Sequence, residues 1–410
     1  MKYLIYLSFS LSYAFAHTHH LPLELTFEES QAIYSKLEKN QTKDGTNLNT
    51  PYIQGSIAGG EKMSQWLALI NKNRTEENKI RLTSKKTQRG IPVEKPSKYG
   101  PSTIEADFKK LIQAMPIEMA QIIYGKDSIQ TSPIVSDEDF ITWAKKVSRL
   151  YQTAVRWMSY QRWLPQMSQR KYKDIRGYYH LNKIADLDRV LEGYQQTTAD
   201  EQQKLAEHLN GICLNSLRNE AKCESKLKKA IAADQLVDFK NLYWNNSKKV
   251  WDSFFEISDP RRDVTWDSPN VMHVKFKDPN NDTIANWLKE NVEDEFQIPL
   301  KNWRLEMKFE RFGFGLSYIE FQKNVTPHVS GGNKVVMDAN TALEEYGVRW
   351  TIRHEYGHIL RLPDCYHEFY DAKNNLMINY QLDTTDLMCS RAGQMNDRIY
   401  EELKRVYYRP

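Results

Sequence analysis

The spacing of apolar positions along the chain changes near residue 260. From about 102 to 257 they recur every three to four residues, in segments 137–162, 185–195, 199–214, 216–233 and 235–257. That is the period of helices that bury one face. Two of these segments carry start signals, Ser136 ahead of Asp139 and Thr198 ahead of Glu201, where a hydroxyl can take a free N–H of the first turn. An all-α domain is predicted over 102–260. Ahead of it, residues 17–101 are polar, hold one helical pattern near 60–73, and end in the linker PVEKPSKYGPS. The sequence contains no internal repeat.

After Pro260 the pattern alternates. Segments 271–276, 303–310, 315–322 and 334–339 read as strands and 283–296 as a helix, followed by a long helix through His358 and a C-terminal helix over 396–407. Strands first and helices last predict an α+β domain over 261–410, with a twisted mixed sheet packed on helices. Arg261-Arg262 follows a proline in a polar stretch between the two parts and reads as an exposed site for proteolytic activation.

Composition narrows the possibilities. The 410 residues are 40% apolar and 12% aromatic, enough for two or three folded domains, and the net charge of +4 is spread without a basic, aromatic-interleaved stripe. Nucleic-acid binding is therefore not expected. At the N-terminus, Lys2 precedes an apolar run from Tyr3 to Phe15 that ends in Ala14-Phe15-Ala16, the pattern of a cleavable secretory signal peptide over 1–16. The run is short of the ~20 residues that span a bilayer, and no later segment qualifies. A secreted or periplasmic protein without a transmembrane anchor is expected. Its new terminus, His17-Thr18-His19-His20, could hold copper or nickel adventitiously. An even number of cysteines in an oxidising compartment favours two local disulfides, Cys213–Cys223 and Cys365–Cys389. No cysteine near the signal offers a lipid anchor.

The chemistry concentrates in HEYGHILRLPD, residues 354–364. Positions four apart on a helix share a face, so His354 and His358 can offer two imidazoles to one ion, with Glu355 within reach of its water. Neutral imidazoles suit zinc, and a site with three protein ligands leaves a coordination position open for that water. Thr351, Ile352, Tyr356, Gly357, Ile359 and Leu360 around the motif are uncharged, as expected of a buried helix, and only Arg353 is charged. Glu401 and Glu402 on the C-terminal helix are alternative third ligands, of the gluzincin type. His367 could also ligate the metal, but its spacing does not match and it reads as part of an exposed loop.

The stretch resembles the extended metzincin signature H-E-x-x-H-x-x-G-x-x-H/D, and its L-x-L-P-D-x-Y flavour is similar to immune-inhibitor-A-type and snapalysin-like secreted metallopeptidases. The resemblance covers roughly 262–410 and implies a metzincin-like catalytic domain with Asp364 as third zinc ligand. DLMCS (386–390) supplies Met388 for the methionine turn under the metal. Two positions depart from the family. Arg361 replaces the signature glycine, although Pro363 offers another way out of the helix. Ser390 stands where some members carry a tyrosine, which leaves Tyr366 or Tyr380 as candidate transition-state tyrosines. The expected activity is zinc-dependent hydrolysis of protein or peptide substrates, with one catalytic Zn2+ and Glu355 as general base. The helical region could be an inhibitory pro-segment, a recruiting module or a stable partner. The competing class is a non-catalytic secreted binding protein that retains a metal site.

Overall fold

The computed structural model describes residues 50–83, 97–391 and 393–409. The expected signal peptide, the histidine-rich stretch after it and the first part of the linker lie outside the described residues. The protein is mixed α/β, with small mixed sheets preceded by a helical region.

The helical region has two cores. The first gathers α1 (Pro51–Lys72), α2 (Pro101–Ala114), α3 (Ile117–Tyr124), α4 (Asp137–Tyr160) and α5 (Leu164–Gln169) around Trp66, Phe140 and Trp157, with strand β1 (Ser97–Tyr99) at its margin. Trp66 meets Phe140 edge-on at 5.0 Å, a favoured aromatic geometry. Helix α1 starts nine residues before the predicted 60, because Thr50 caps it and Pro51 opens it. Its Gly59 and Gly60 carry no apolar signal, yet they let Tyr124 and Tyr151 approach the backbone so closely that a Cβ would overlap either ring. The second core is built by α6 (Arg176–Asn182), α7 (Leu187–Glu192), α8 (Ala199–Leu217), α9 (Glu220–Ala232) and α10 (Leu236–Phe255). The Cys213–Cys223 disulfide ties α8 to α9. Ser136 and Thr198 cap α4 and α8 by accepting N–H groups three residues on.

A mixed sheet and its helices follow. Strands β2 (Val264–Ser268), β3 (Val271–Lys277), β4 (Gln297–Ile298) and β5 (Trp303–Glu310) lie in the order β2-β3-β5-β4, with β3 and β5 parallel and helix α11 (Asp282–Glu295) between them in sequence. Beyond Val274 the edge of β3 that β2 occupied is free. Ser317 takes it through a bridge to Phe276 and a 2.7 Å bond from the Lys277 N–H. This brings in β6 (Tyr318–Gln322), β7 (His328–Ser330) and β8 (Lys334–Asp338), in the order β6-β8-β7. The strand expected from 315 starts at 318, after Gly315 at φ 73°. Helix α12 (Tyr346–Ile359) carries the histidine motif, strands β9 (Tyr366–Asp371) and β10 (Leu376–Gln381) form a hairpin, and α13 (Asp397–Tyr407) closes the chain.

That hairpin corrects one expectation. His367 is in strand β9, not an exposed loop, and is only 6% exposed. The reason lies at the other end of the chain, since β1 pairs with β10 to make a three-stranded sheet, β1-β10-β9. Arg261 corrects another. It is buried, its guanidinium bonds Asp263 and the carbonyls of Gly315 and Gly332, and its N–H donates to the Tyr407 hydroxyl. The hydroxyl in turn donates to Leu360 O at the end of α12. Arg261 is thus anchored, with Arg262 exposed beside it, and nicking there would have to work against the bonds that hold Arg261.

Candidate metal centre

Helix α12 lies on the core of the C-terminal region, with Thr351, Ile352, Tyr356, Gly357, Ile359 and Leu360 all buried. Burying aliphatic side chains such as Ile352 and Ile359 is worth about 1.5–3 kcal/mol each. Arg353 leaves this face and pairs with Asp294 and Glu295 of α11. The start of the helix is held from far away in sequence: Glu345 accepts the N–H groups of Leu82 and Thr83, and the Thr83 hydroxyl accepts the N–H of Gly347.

The helix ends in a Schellman motif. Leu362 N–H bonds Gly357 O and Arg361 N–H bonds His358 O, both at 3.0 Å, with Arg361 in the left-handed region at φ 68°. A left-handed position of this kind favours glycine, and an arginine costs about 1 kcal/mol there. Two residues beyond Leu362, Asp364 comes back over the imidazoles.

Asp364 Oδ1 lies 3.2 Å from His354 Nε2 and 3.1 Å from His358 Nε2. Each ring is oriented through its other nitrogen. His354 Nδ1 is 2.7 Å from Leu387 O and His358 Nδ1 is 2.9 Å from Leu362 O. A carbonyl only accepts, so both Nδ1 atoms carry a proton and both Nε2 atoms face the centre. Asp364 Oδ1 is buried and makes no hydrogen bond of good geometry, nor does Glu355 Oε2. Burial alone would disfavour charge on His358, but the Asp364 carboxylate overrides it and pushes the imidazolium pKa up to about 9. Burial would also raise Asp364, but the two imidazoles hold its carboxyl well below the ordinary carboxylate range. The cluster draws positive charge to its centre. Two imidazoles, one carboxylate and outer carbonyls that fix the rings are a donor set that fits zinc.

The turn below the helix comes from residues 386–390. Met388 is fully buried, and a Cβ at Gly357 would overlap its Sδ. Asp386 shapes the turn: Oδ1 accepts the Met388 N–H at 2.8 Å, while Oδ2 accepts from Asn396 and Arg398. The Cys365–Cys389 disulfide and a bond from the Cys365 N–H to Met388 O tie this turn to the residue after Asp364. Cys365, Asp386 and Cys389 also converge in space, but the disulfide uses both sulfurs.

Strand alternation separates the two tyrosines. Tyr366 and Glu368 share one face of β9, and the Tyr366 ring lies nearly parallel to His354 with centroids 6.5 Å apart. Tyr380 pairs across the hairpin with His367 on the other face and stacks on its ring. His367 Nε2 is 2.8 Å from Arg170 O. Glu401 pairs with Lys301, and Glu402 with the Ile257 N–H and Arg405. Among the described residues, neither glutamate joins the His354–His358–Asp364 group.

Sequence reasoning missed the network on the near face of β9. Glu368, 2% exposed, accepts from Tyr99 at 2.8 Å, from Arg156 at 2.8 Å and from Tyr160 at 2.7 Å. Arg156 also lies over the Tyr366 ring, 5.9 Å from its centroid. Three side chains of the helical region thereby hold the strand that follows Asp364.

Comparison with protein-family models, curated proteins and solved structures returned no match. Two disulfides join the four cysteines, and no described helix is long and apolar enough to cross a membrane.

Proposed function

We propose that the chain is an exported zinc-dependent endopeptidase of metzincin type, with His354, His358 and Asp364 as the zinc ligands. One observation carries the reading: the convergence of two Nε2 atoms and one carboxylate oxygen above a buried Met388. Zinc bound there would lower the pKa of a coordinated water and polarise the peptide carbonyl. Glu355, one residue after the first ligand and with a buried, unpartnered Oε2, would serve as the general base and then pass the proton to the leaving amine. Leu387 O and Leu362 O keep both imidazoles in the ligating tautomer. Tyr366 stands on the metal's side of β9 and is the better of the two candidates for steadying the tetrahedral intermediate. The helical region serves as a fixed partner, since Tyr99, Arg156, Tyr160 and Thr83 hold elements of the site.

The test counts zinc by elemental analysis and measures hydrolysis of a peptide library. Wild type and Glu355→Gln should hold about one zinc per chain, with turnover in the variant lower by at least the 10²–10⁴-fold attributed to general acid–base groups. Asp364→Ala should lose zinc, and Glu401→Ala and Glu402→Ala should keep it. Retention in the Asp364 variant with loss in either glutamate variant would overturn the ligand assignment. Zinc bound in stoichiometric amount without any peptide cleavage would favour the binding-protein class.

A further inference from the structure

We propose that Arg391 binds a carboxylate of the substrate on the leaving-group side of the scissile bond, which makes it a specificity-determining residue of the peptidase proposed above. Arg391 is exposed and directly follows the Met388 turn. Its guanidinium donates to Thr351 Oγ1 at 3.4 Å. Thr351 lies four residues before Glu355 and so on the same face of α12, one turn toward the N-terminus. His358 and Asp364 lie toward the opposite end. Arg391 therefore sits about one turn before both His354 and Glu355, on the face that carries Glu355.

The direction of the chemistry gives this position its meaning. Glu355 passes its proton to the leaving amine, so the leaving amine lies on the Glu355 side of the ligand cluster. The residue after the scissile bond then extends past Glu355 toward Arg391.

Charge supports the same conclusion. Among the described residues no carboxylate lies within ion-pair distance of Arg391, whereas its neighbour Arg156 is committed to Glu368. Crowding by the protein, and after it the like charge of Arg156, push the Arg391 pKa below the usual arginine value, with the nearby Glu355 carboxylate offsetting only part of this. An incoming anion relieves both. A guanidinium is also the side chain best shaped to grip a carboxylate with two parallel bonds. That carboxylate can belong to an aspartate or glutamate side chain or to a free C-terminus, and the two sources are separable.

The experiment uses zinc-loaded full-length Glu355→Gln, with and without Arg391→Ala or Arg391→Glu, and blocked peptides that differ only after the scissile bond. One peptide carries Glu at that position with an amidated end. A second carries Gln with an amidated end, a third Gln with a free C-terminus directly after it, and a fourth Lys. Binding is read by calorimetry, and cleavage ratios are read in parallel on the forms that retain Glu355. With Arg391 present, the Glu peptide, the free-carboxylate peptide or both should bind roughly 10- to 100-fold tighter than the amidated Gln peptide, the range for a hydrogen bond to a charged group. Which of the two gains identifies the source. Arg391→Ala should bring the ratio near one, and Arg391→Glu should turn the preference toward Lys. Equal ratios with and without Arg391, in proteins that retain zinc, would overturn the proposal. An Arg391-dependent preference in binding with no hydrolysis by wild type would uphold the subsite and remove the peptidase reading. Hydrolysis without such a preference would do the reverse.

Discussion

Gly357→Ala tests whether Met388 supports the metal helix. The substitution adds one methyl group in the middle of α12, where alanine is favoured over glycine by about 1 kcal/mol on helix propensity alone. At Gly357 that methyl would overlap Met388 Sδ and stand 3.0 Å from its Cε. Met388 cannot yield freely. It is fully buried, its N–H is bound to Asp386, and the next residue is fixed to Cys365 by a disulfide. Overpacking of a core costs about 1–3 kcal/mol, and the upper end applies to a pinned neighbour, which leaves a net loss of about 2 kcal/mol. That lowers the melting temperature by roughly 4–8 °C at the usual 2–4 °C per kcal/mol for a unit of 150–250 residues. Leu387 O, which orients His354, moves with the same turn, so zinc affinity should fall roughly 10- to 100-fold. Thermal unfolding and zinc titration read the two effects. Met388→Ala alone should cost about 2–5 kcal/mol, and the pair together should cost about 2 kcal/mol less than the separate effects combined, because the new methyl enters the space the thioether leaves. A melting temperature unchanged or raised in Gly357→Ala, or strict additivity in the cycle, would refute the packing argument.

Three further outcomes follow from the same geometry. Arg361→Gly should stabilise the protein by about 1 kcal/mol, since the left-handed position strains any residue with a Cβ and its partner Asp259 is 86% exposed at 3.9 Å; denaturant midpoints check this, and a fall would show that the arginine side chain matters more than the strain. Glu368→Gln should cost about 1.5–3 kcal/mol, the range for bonds to a charged acceptor, and should loosen the hairpin after Asp364, readable as faster amide exchange in residues 366–381. Burial holds His208 neutral, with its pKa lowered to about 4 against an ordinary 6.5. The unfolded chain takes up that proton near pH 6.5 and the folded chain only near 4, so stability should decline by roughly 3 kcal/mol as pH falls through that window; His208→Gln should flatten the decline in urea titrations at stepped pH, and an unchanged slope would exclude His208 as its cause.

How much was legible depended on how local the determinants were. Strand 303–310 and helix 137–160 follow from period and capping, because each buries one face against a neighbour close by. The ligand spacing is equally local, since one helical turn separates His354 from His358 and one Schellman exit returns Asp364. The hairpin 366–381 escaped because both of its faces are covered. His367, which read as part of a loop, and its neighbour Glu368 are buried by Arg170 O and Arg156, partners about 200 residues earlier in the chain. No pattern within YHEFYD could announce that. Arg361 shows the converse: sequence rules ask for glycine at such a bend, but packing around α12 holds the left-handed turn without one.

The pairing of β1 with β10 also bears on how the chain is made. Ser97 meets Asn379 and Tyr99 meets Met377, so a strand synthesised early waits for one synthesised near the end. Closing so long a loop carries an entropic cost before any contact offsets it, and folding rates fall as contacts become more distant in sequence. Until β9 emerges, Tyr99, Arg156 and Tyr160 have no Glu368 to bind, and until β10 follows, β1 has no neighbouring strand. The strand after Asp364 is therefore expected to settle late in folding, and the rate of zinc uptake during refolding would test that order.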